Sequence, residues 1–280
     1  MKRHGRIGWL VMVLGCGWAA GCGGQRESGQ AAAELALARA HAHNDYAHAR
    51  PLRDALAEGF NSVEADIHLA GGELLVAHDA EEVQADRTLQ RLYLEPLRER
   101  VRANGGRVFR GGPEFFLWID IKTEGVKTYG ALREVLTDYE DMLSVVREGK
   151  LTEGAIRVII SGNRPREMMR GETMRYAGLD GRLEDLESEE PAHFMPWISD
   201  RASRVSRWRG EGPLPAADRE KLYGIIRRAH ARGRKVRLWG TPDTEAVWQA
   251  LLEAGVDVIN TDDLRGLREF LLKHDNGIAP

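Results

Sequence analysis

Two carboxylates stand two residues apart on an otherwise aliphatic run, Val63-Glu64-Ala65-Asp66-Ile67-His68-Leu69. The strict alternation predicts a β-strand with Glu64, Asp66 and His68 on one face and the aliphatic side chains on the other. Acids that share a buried face repel each other and lose hydration, which raises a pKa or unfolds the site unless a cation stands between them. For an isolated pair that cation is ordinarily Arg or Lys. A second run, Phe116-Leu117-Trp118-Ile119-Asp120-Ile121-Lys122, adds a third carboxylate and a lysine, and the stretch His41-Ala42-His43-Asn44-Asp45-Tyr46 adds an amide. Glu64, Asp66, Asp120 and Asn44 make an all-oxygen set, which suits one hard divalent cation, Mg2+ or Ca2+, rather than zinc. His78 follows Leu74-Leu75-Val76-Ala77, a segment expected to fold back as a short hairpin, with Asp79 beside it to orient the ring. Two histidines such as His43 and His78, one on each side of such an ion, form the kind of acid and base pair that phosphodiester cleavage requires. Lys122 then either meets an anionic substrate or pairs with Asp120 alone.

These residues need a frame that brings them together. Eight apolar β-type runs, at 38–42, 62–69, 115–121, 156–160, 176–179, 194–198, 236–239 and 256–259, alternate with helical segments. The helical segments fall at 51–58, 89–104, 129–148, 164–170, 216–232, 244–253 and 264–273, with 183–189 the weakest connection. Eight βα steps in a chain of this length predict a single-domain (β/α)8 TIM barrel over residues 40–275. Catalytic groups of such barrels gather at the C-terminal strand ends, and the polar residues obey that rule: His43 with Asn44, then Glu64 and Asp66, then Asp120 with Lys122. Ser161-Gly162-Asn163, Asp180, Ser199-Asp200, Trp239, and Asn260 with Asp262 end the remaining five.

The N-terminal residues differ from the rest. Lys2, Arg3 and Arg6 precede an apolar, glycine-broken run that is short for a membrane span, so 1–21 reads as an export leader. Ala19-Ala20-Gly21-Cys22 resembles a lipobox, with Ala where Leu is usual, and Cys22 is the expected lipidation site. Residues 22–39 read as a tether, so the expectation is an exported cell-envelope lipoprotein held to a membrane by its N-terminal lipid, or else a secreted or periplasmic protein. Both cysteines, Cys16 and Cys22, lie in this region, so the body can hold neither a disulfide nor a thiolate metal site. Loss of the leader takes the net charge from −3 to −6, which argues against nucleic acid as a partner. The basic run 227–235 reads as a solvated helix end. The expected partner is a small-molecule or lipid phosphodiester, and the expected state is a monomer.

The combination His-Asn, Glu-x-Asp, His and Asp-Ile-Lys resembles the phospholipase C-like phosphodiesterase superfamily, which includes glycerophosphodiester phosphodiesterases, phosphoinositide phospholipases C and sphingomyelinase D. Ser62-Val63-Glu64-Ala65-Asp66, Ile160-Ser161-Gly162-Asn163-Arg164-Pro165 and Ile259-Asn260-Thr261-Asp262-Asp263-Leu264 resemble the branch related to fungal altered-inheritance-of-mitochondria proteins. The resemblance implies that His43 and His78 are catalytic and that Glu64, Asp66 and Asp120 hold the metal. It matches Asn44 to the ligand asparagine of calcium-dependent phospholipases C, and Lys122 and Trp239 to pocket residues of sphingomyelinase D. Asn163, in the Ser-Gly-Asn motif, is a further expected substrate contact. The chain lacks the Arg-Gly that usually follows the first histidine of glycerophosphodiesterases, and the large insertion after their second strand.

Two other readings fit parts of the pattern. His41-x-His43 at a first strand end also opens metal-dependent amidohydrolases, which need further histidines after strands five and six. A noncatalytic envelope lipoprotein that binds lipid headgroups or sugar phosphates would keep the barrel without turnover.

Overall fold

The computed structural model describes residues 34–274; the leader and Cys22 lie outside the described residues. Eight parallel strands form the barrel: β1 (Leu37–Ala42), β2 (Phe60–Ala70), β3 (Phe115–Ile121), β4 (Ile156–Gly162), β5 (Ala177–Gly181), β6 (Trp197–Arg201), β7 (Lys235–Trp239) and β8 (Val258–Thr261). They pair in sequence order, and β1 closes the ring by bonding both β2 and β8. The expected TIM barrel is the observed fold. Leu37 starts a strand inside the segment expected as tether, and Glu34 is already held by Arg100 and Asn104 at 2.9 and 3.1 Å.

Among the described residues seven α-helices pack outside: α1 (Arg53–Ala57), α2 (Glu95–Ala103), α3 (Gly125–Thr137), α4 (Arg166–Arg170), α5 (Ala216–Ala231), α6 (Glu245–Ala254) and α7 (Leu264–His274). Helix α3 starts four residues before the expected 129 because the Glu124 carboxylate accepts the Val126 and Lys127 amides at 3.0 and 2.8 Å, capping the first turn. It stops at Thr137, not at 148. Val145-Val146-Arg147 instead pairs with Lys150–Thr152 around Glu148 and Gly149, both at positive φ, because β-branched valines favour the pleated form. The sixth strand begins at Trp197 rather than at 194, since Pro196 has no amide hydrogen to give a ladder. The segment expected as a helix over 183–189 holds one 3-10 turn, Leu183–Asp185.

The aliphatic face of each strand packs against the helices in one continuous core, while the barrel interior is layered. At the bottom Phe116, Trp118, Ile159, Trp197 and Val258 form a plug, with Trp197 edge-to-face on Phe116 and Trp118 at 5.2 and 5.4 Å between centroids. Burial of each such side chain contributes roughly 1.5–3 kcal/mol. Above the plug the inward positions turn polar, and the site is built on that floor. Among the described residues no helix is long and apolar enough to cross a membrane.

Candidate active site

Parallel register decides which carboxylates meet. Strands β2 and β3 align Glu64 with Trp118 and Asp66 with Asp120, so two acids from adjacent strands lie at one level near the mouth. One oxygen from each of Glu64, Asp66 and Asp120 falls within 4.8 Å of the others; among the described residues this is the cluster of His, Cys, Asp and Glu close enough to share an ion. Strand β4 continues the level with Ser161 opposite Asp120 and Gly162 opposite Ile121. A Cβ on Gly162, whose φ is +68°, would lie 2.4 Å from Asp120 Oδ1, so glycine is needed for the carboxylate to stand there.

Asp66 is the hub. Its Oδ2 accepts from Tyr46 Oη at 2.7 Å, His78 Nδ1 at 2.9 Å and Lys122 Nζ at 2.9 Å. Its Oδ1 is buried with no hydrogen-bond partner among protein groups. Burial and the nearby Glu64 charge raise the Asp66 pKa despite Lys122. Lys122 Nζ also binds Asp120 Oδ1 at 3.0 Å, so it bridges two acids instead of pairing with Asp120 alone.

Glu64 is held differently. Arg237, on the inward face of β7, places Nη1 2.7 Å from Glu64 Oε2 and stacks its guanidinium over Trp118 at 4.0 Å. Burial would push the Glu64 carboxyl up, but the Arg237 charge more than offsets it, and the group sits well below the usual carboxylate range. His41 is wholly buried, and burial followed by the Arg237 charge lowers its pKa to about 3. The neutral ring accepts from Arg237 Nη1 at Nε2, 2.7 Å away, and therefore donates from Nδ1 to Ser62 Oγ at 2.7 Å. His41 positions Arg237 in the floor and lies outside the reaction cavity.

The turn after β1 delivers His43 and Asn44. Asn44 adopts the left-handed conformation that asparagine tolerates, with φ 47° and ψ 39°. Buried Asp45 fixes the turn by accepting from the Leu52 amide at 2.5 Å and Tyr93 Oη at 2.8 Å. His43 Nδ1 lies 2.8 Å from Asp262 Oδ1. Burial alone would lower the His43 pKa, but the bond to Asp262 and the Glu64 charge raise it above 6.5. The hairpin after β2 pairs its first strand with Glu73–Val76 and returns His78 to the mouth, where His68 Nε2 donates to the His78 carbonyl at 3.1 Å. Asp66 and Tyr46, not Asp79, meet the His78 ring; Asp79 instead caps the turn at Ala80–Glu82. A carboxylate at Nδ1 fixes that proton in both rings and leaves Nε2 to exchange one.

His43, Asn44, Glu64, His78, Asp120, Lys122 and Trp239 line one cavity of about 560 Å3. Arg182, Arg201, Arg209 and Arg237 line it too. Asn44 Oδ1 lies 2.7 Å from Tyr46 Oη, whose single proton is given to Asp66. Trp239 carries the Arg201 guanidinium at 4.7 Å from its ring centroid. Asn163 does not reach the cavity: its exposed amide donates to the Lys122 and Thr123 carbonyls at 3.1 and 2.9 Å, bracing the β3 end. Sequence reasoning missed Arg237, although Lys235, Arg237 and Trp239 alternate on one face and Trp239 had drawn attention. Asp262 was marked only as a polar residue at the eighth strand end, without a role, and nothing local marked Tyr46 as a site residue. The amidohydrolase pattern is absent from the described residues: Asp180 is tied to Arg182 and Ser161, His193 neighbours Arg175, and His230 pairs with Asp257.

Residues 30–180 match the model of the AIM6-like phosphodiesterase domain, and residues 235–265 match the glycerophosphoryl diester phosphodiesterase family. The chain is 31% identical over 270 residues to altered inheritance of mitochondria protein 6 of Eremothecium gossypii, covering 84% of this chain and 69% of that one. It is 28% identical to the homologue from Arthroderma benhamiae over 82% of each. A solved glycerophosphodiester phosphodiesterase from Parabacteroides distasonis shares the barrel, with a TM-score of 0.52 and 12% identity over 86% of this chain and 99% of that one. The relatives' names correct the expected location: they refer to the inheritance of mitochondria, and an exported envelope lipoprotein does not follow from them. With more than half of its length on that domain model and a relative above 30% identity, the chain belongs to the AIM6-like phosphodiesterase family, within the glycerophosphodiester phosphodiesterase-like superfamily.

Proposed function

We propose that this protein hydrolyses a phosphodiester of the glycerophosphodiester or phospholipid-headgroup class by general acid–base catalysis between His43 and His78. One observation carries the reading: two histidines, each held at Nδ1 by a carboxylate, line the same cavity as Glu64 and Asp120, two of a cluster of three acids whose third, Asp66, is buried beside them. The cluster fits a divalent cation: three carboxylates bring oxygens within 4.8 Å of one another, and the buried Asp66 Oδ1 has no hydrogen-bond partner among protein groups. Glu64, Asp66 and Asp120, with Asn44 beside them, would hold Mg2+ or Ca2+, which when bound offsets the charge that builds on the phosphoryl oxygens.

The chain's own groups do the rest. Lys122, Arg182 and Arg201 face the cavity and attract the phosphodiester anion. His43, oriented by Asp262, takes the proton of the attacking hydroxyl as its oxygen bonds to phosphorus. As the ester P–O bond breaks, His78 gives its proton to the departing alkoxide. If water attacks, the products are an alcohol and a phosphomonoester; if a neighbouring substrate hydroxyl attacks, a cyclic phosphate forms. A panel of phosphodiesters followed by phosphorus NMR with each cation tests the reading and reports the product. Turnover should depend on the cation and be lost in His43→Ala and His78→Ala. A chain that turns over no phosphodiester, or retains full activity in both variants, would overturn it.

A further inference from the structure

A second cavity, about 420 Å3, opens beside the first, and Ser203, Arg209 and Gly240 belong to the walls of both. It lies between β7, α5 and α6 under the segment 202–214, and its walls differ in character from those of the reaction cavity. Leu222, Leu238, Val247 and Leu251 are core residues, and Trp208 closes it from the loop. Three of its polar lining groups are already engaged: Ser206 Oγ donates to Asp218 at 2.6 Å, and Trp208 Nε1 donates to the Glu211 carbonyl at 2.9 Å. Gly210 at φ +97° brings the loop close to α6; a Cβ there would come within 3.1 Å of Thr244 Oγ1 and 3.3 Å of Val247 Cγ2.

We propose that this cavity receives an apolar arm of the substrate, a single alkyl or acyl chain on the phosphodiester whose phosphate sits in the adjoining cationic cavity. The inference rests on the phosphodiesterase reading and adds the substrate class. A cavity of this size falls within the roughly 300–1,000 Å3 of small-molecule sites, and the wall made by Leu222, Leu238, Val247, Ala250 and Leu251 offers a sugar or other polar arm no side-chain donor or acceptor. Arg209, exposed on the border and shared by both walls, suits the junction of an anionic head and an apolar tail.

The test is a series of alkyl p-nitrophenyl phosphates from methyl to octyl, kept below their micelle concentrations, with Mg2+ or Ca2+ present. Each methylene that enters the cavity should raise kcat/KM about fourfold, chiefly through KM, until the cavity is full. Ala250→Trp, which fills the cavity from the half-buried side of α6, should abolish the chain-length gain and leave the methyl ester unchanged. If that variant does not fold, Ala250→Phe makes the same comparison, and the wild-type series stands without either. Turnover of the methyl ester with no gain along the series would overturn the apolar-arm proposal and leave the phosphodiesterase reading intact. So would a gain that persists in a folded Ala250 variant. No turnover of any member would defeat the phosphodiesterase reading and this proposal together.

Discussion

Arg237 Nη1 lies 2.7 Å from Glu64 Oε2 inside the barrel, in a pair whose side chains are only 3% and 7% exposed. The two come from strands on opposite sides of the sequence, and the guanidinium rests on Trp118 at 4.0 Å. One of the three acids is thus neutralised from below by the protein, while the other two share Lys122 near the mouth.

Arg237→Met removes that partner and leaves a buried charge. We expect a loss of roughly 3–5 kcal/mol in unfolding free energy, read by urea denaturation. Adding Mg2+ or Ca2+ should recover more stability in this variant than in the wild type, because the ion then has more uncompensated charge to offset. Equal cation effects in both proteins would argue against an ion at Glu64.

His41 links stability to pH. Its folded pKa of about 3 lies below the ordinary 6.5, so only the unfolded chain takes up a proton between those values. The stability it contributes is whole above 6.5 and is lost progressively as pH falls towards 3. The depressed Glu64 adds loss in the same direction below its ordinary 4.5, whereas the raised Asp66 acts oppositely, gaining stability as it protonates. His41→Gln keeps an acceptor for Arg237 without the titration, and its urea midpoint should change less between about pH 7 and about pH 4 than that of the wild type.

Asp262→Asn should lower the His43 pKa, since the bond to Asp262 and the charges of Glu64 and Asp262 hold it up against burial. Proton NMR of the ring would follow it directly. With His43 as base, the acid limb of kcat/KM should move to lower pH, and His43→Ala should cost about 10²–10⁴-fold in kcat. A limb that stays in place would assign it to another group.

Gly162→Ala would press a methyl group against Asp120 Oδ1 and the Ile121 carbonyl at a backbone angle that disfavours alanine. Divalent-cation affinity, measured by calorimetry, should fall at least about tenfold, the scale on which ligand orientation matters. Asp120→Asn should lower it further while leaving the fold intact by circular dichroism. Unchanged affinity in both would remove Asp120 from the proposed ligand set.

Much of the frame was legible because parallel barrel strands are short, apolar and bounded by helices, and the run 115–121 coincides with β3 residue for residue. The misread elements, the overlong helix to 148 and the early start of the sixth strand, turned on a valine hairpin and a missing proline hydrogen that periodicity does not register. Asn163 was placed in the site by its motif, yet its amide is spent on two backbone carbonyls.

By itself the sequence determined that Glu64 and Asp66 share a strand face, that Asp120 shares one with Lys122, and that the polar residues collect at strand ends, since all of this follows from the two-residue period of the pleat. Only the closed barrel decided who neutralises whom. Register across β2 and β3 set Asp66 beside Asp120, closure brought Arg237 to Glu64 and Asp262 to His43, and a hydroxyl from the first turn reached Asp66 and His78. Those pairings span up to 219 residues of chain, and no local pattern encodes a contact that exists only once the ring is shut.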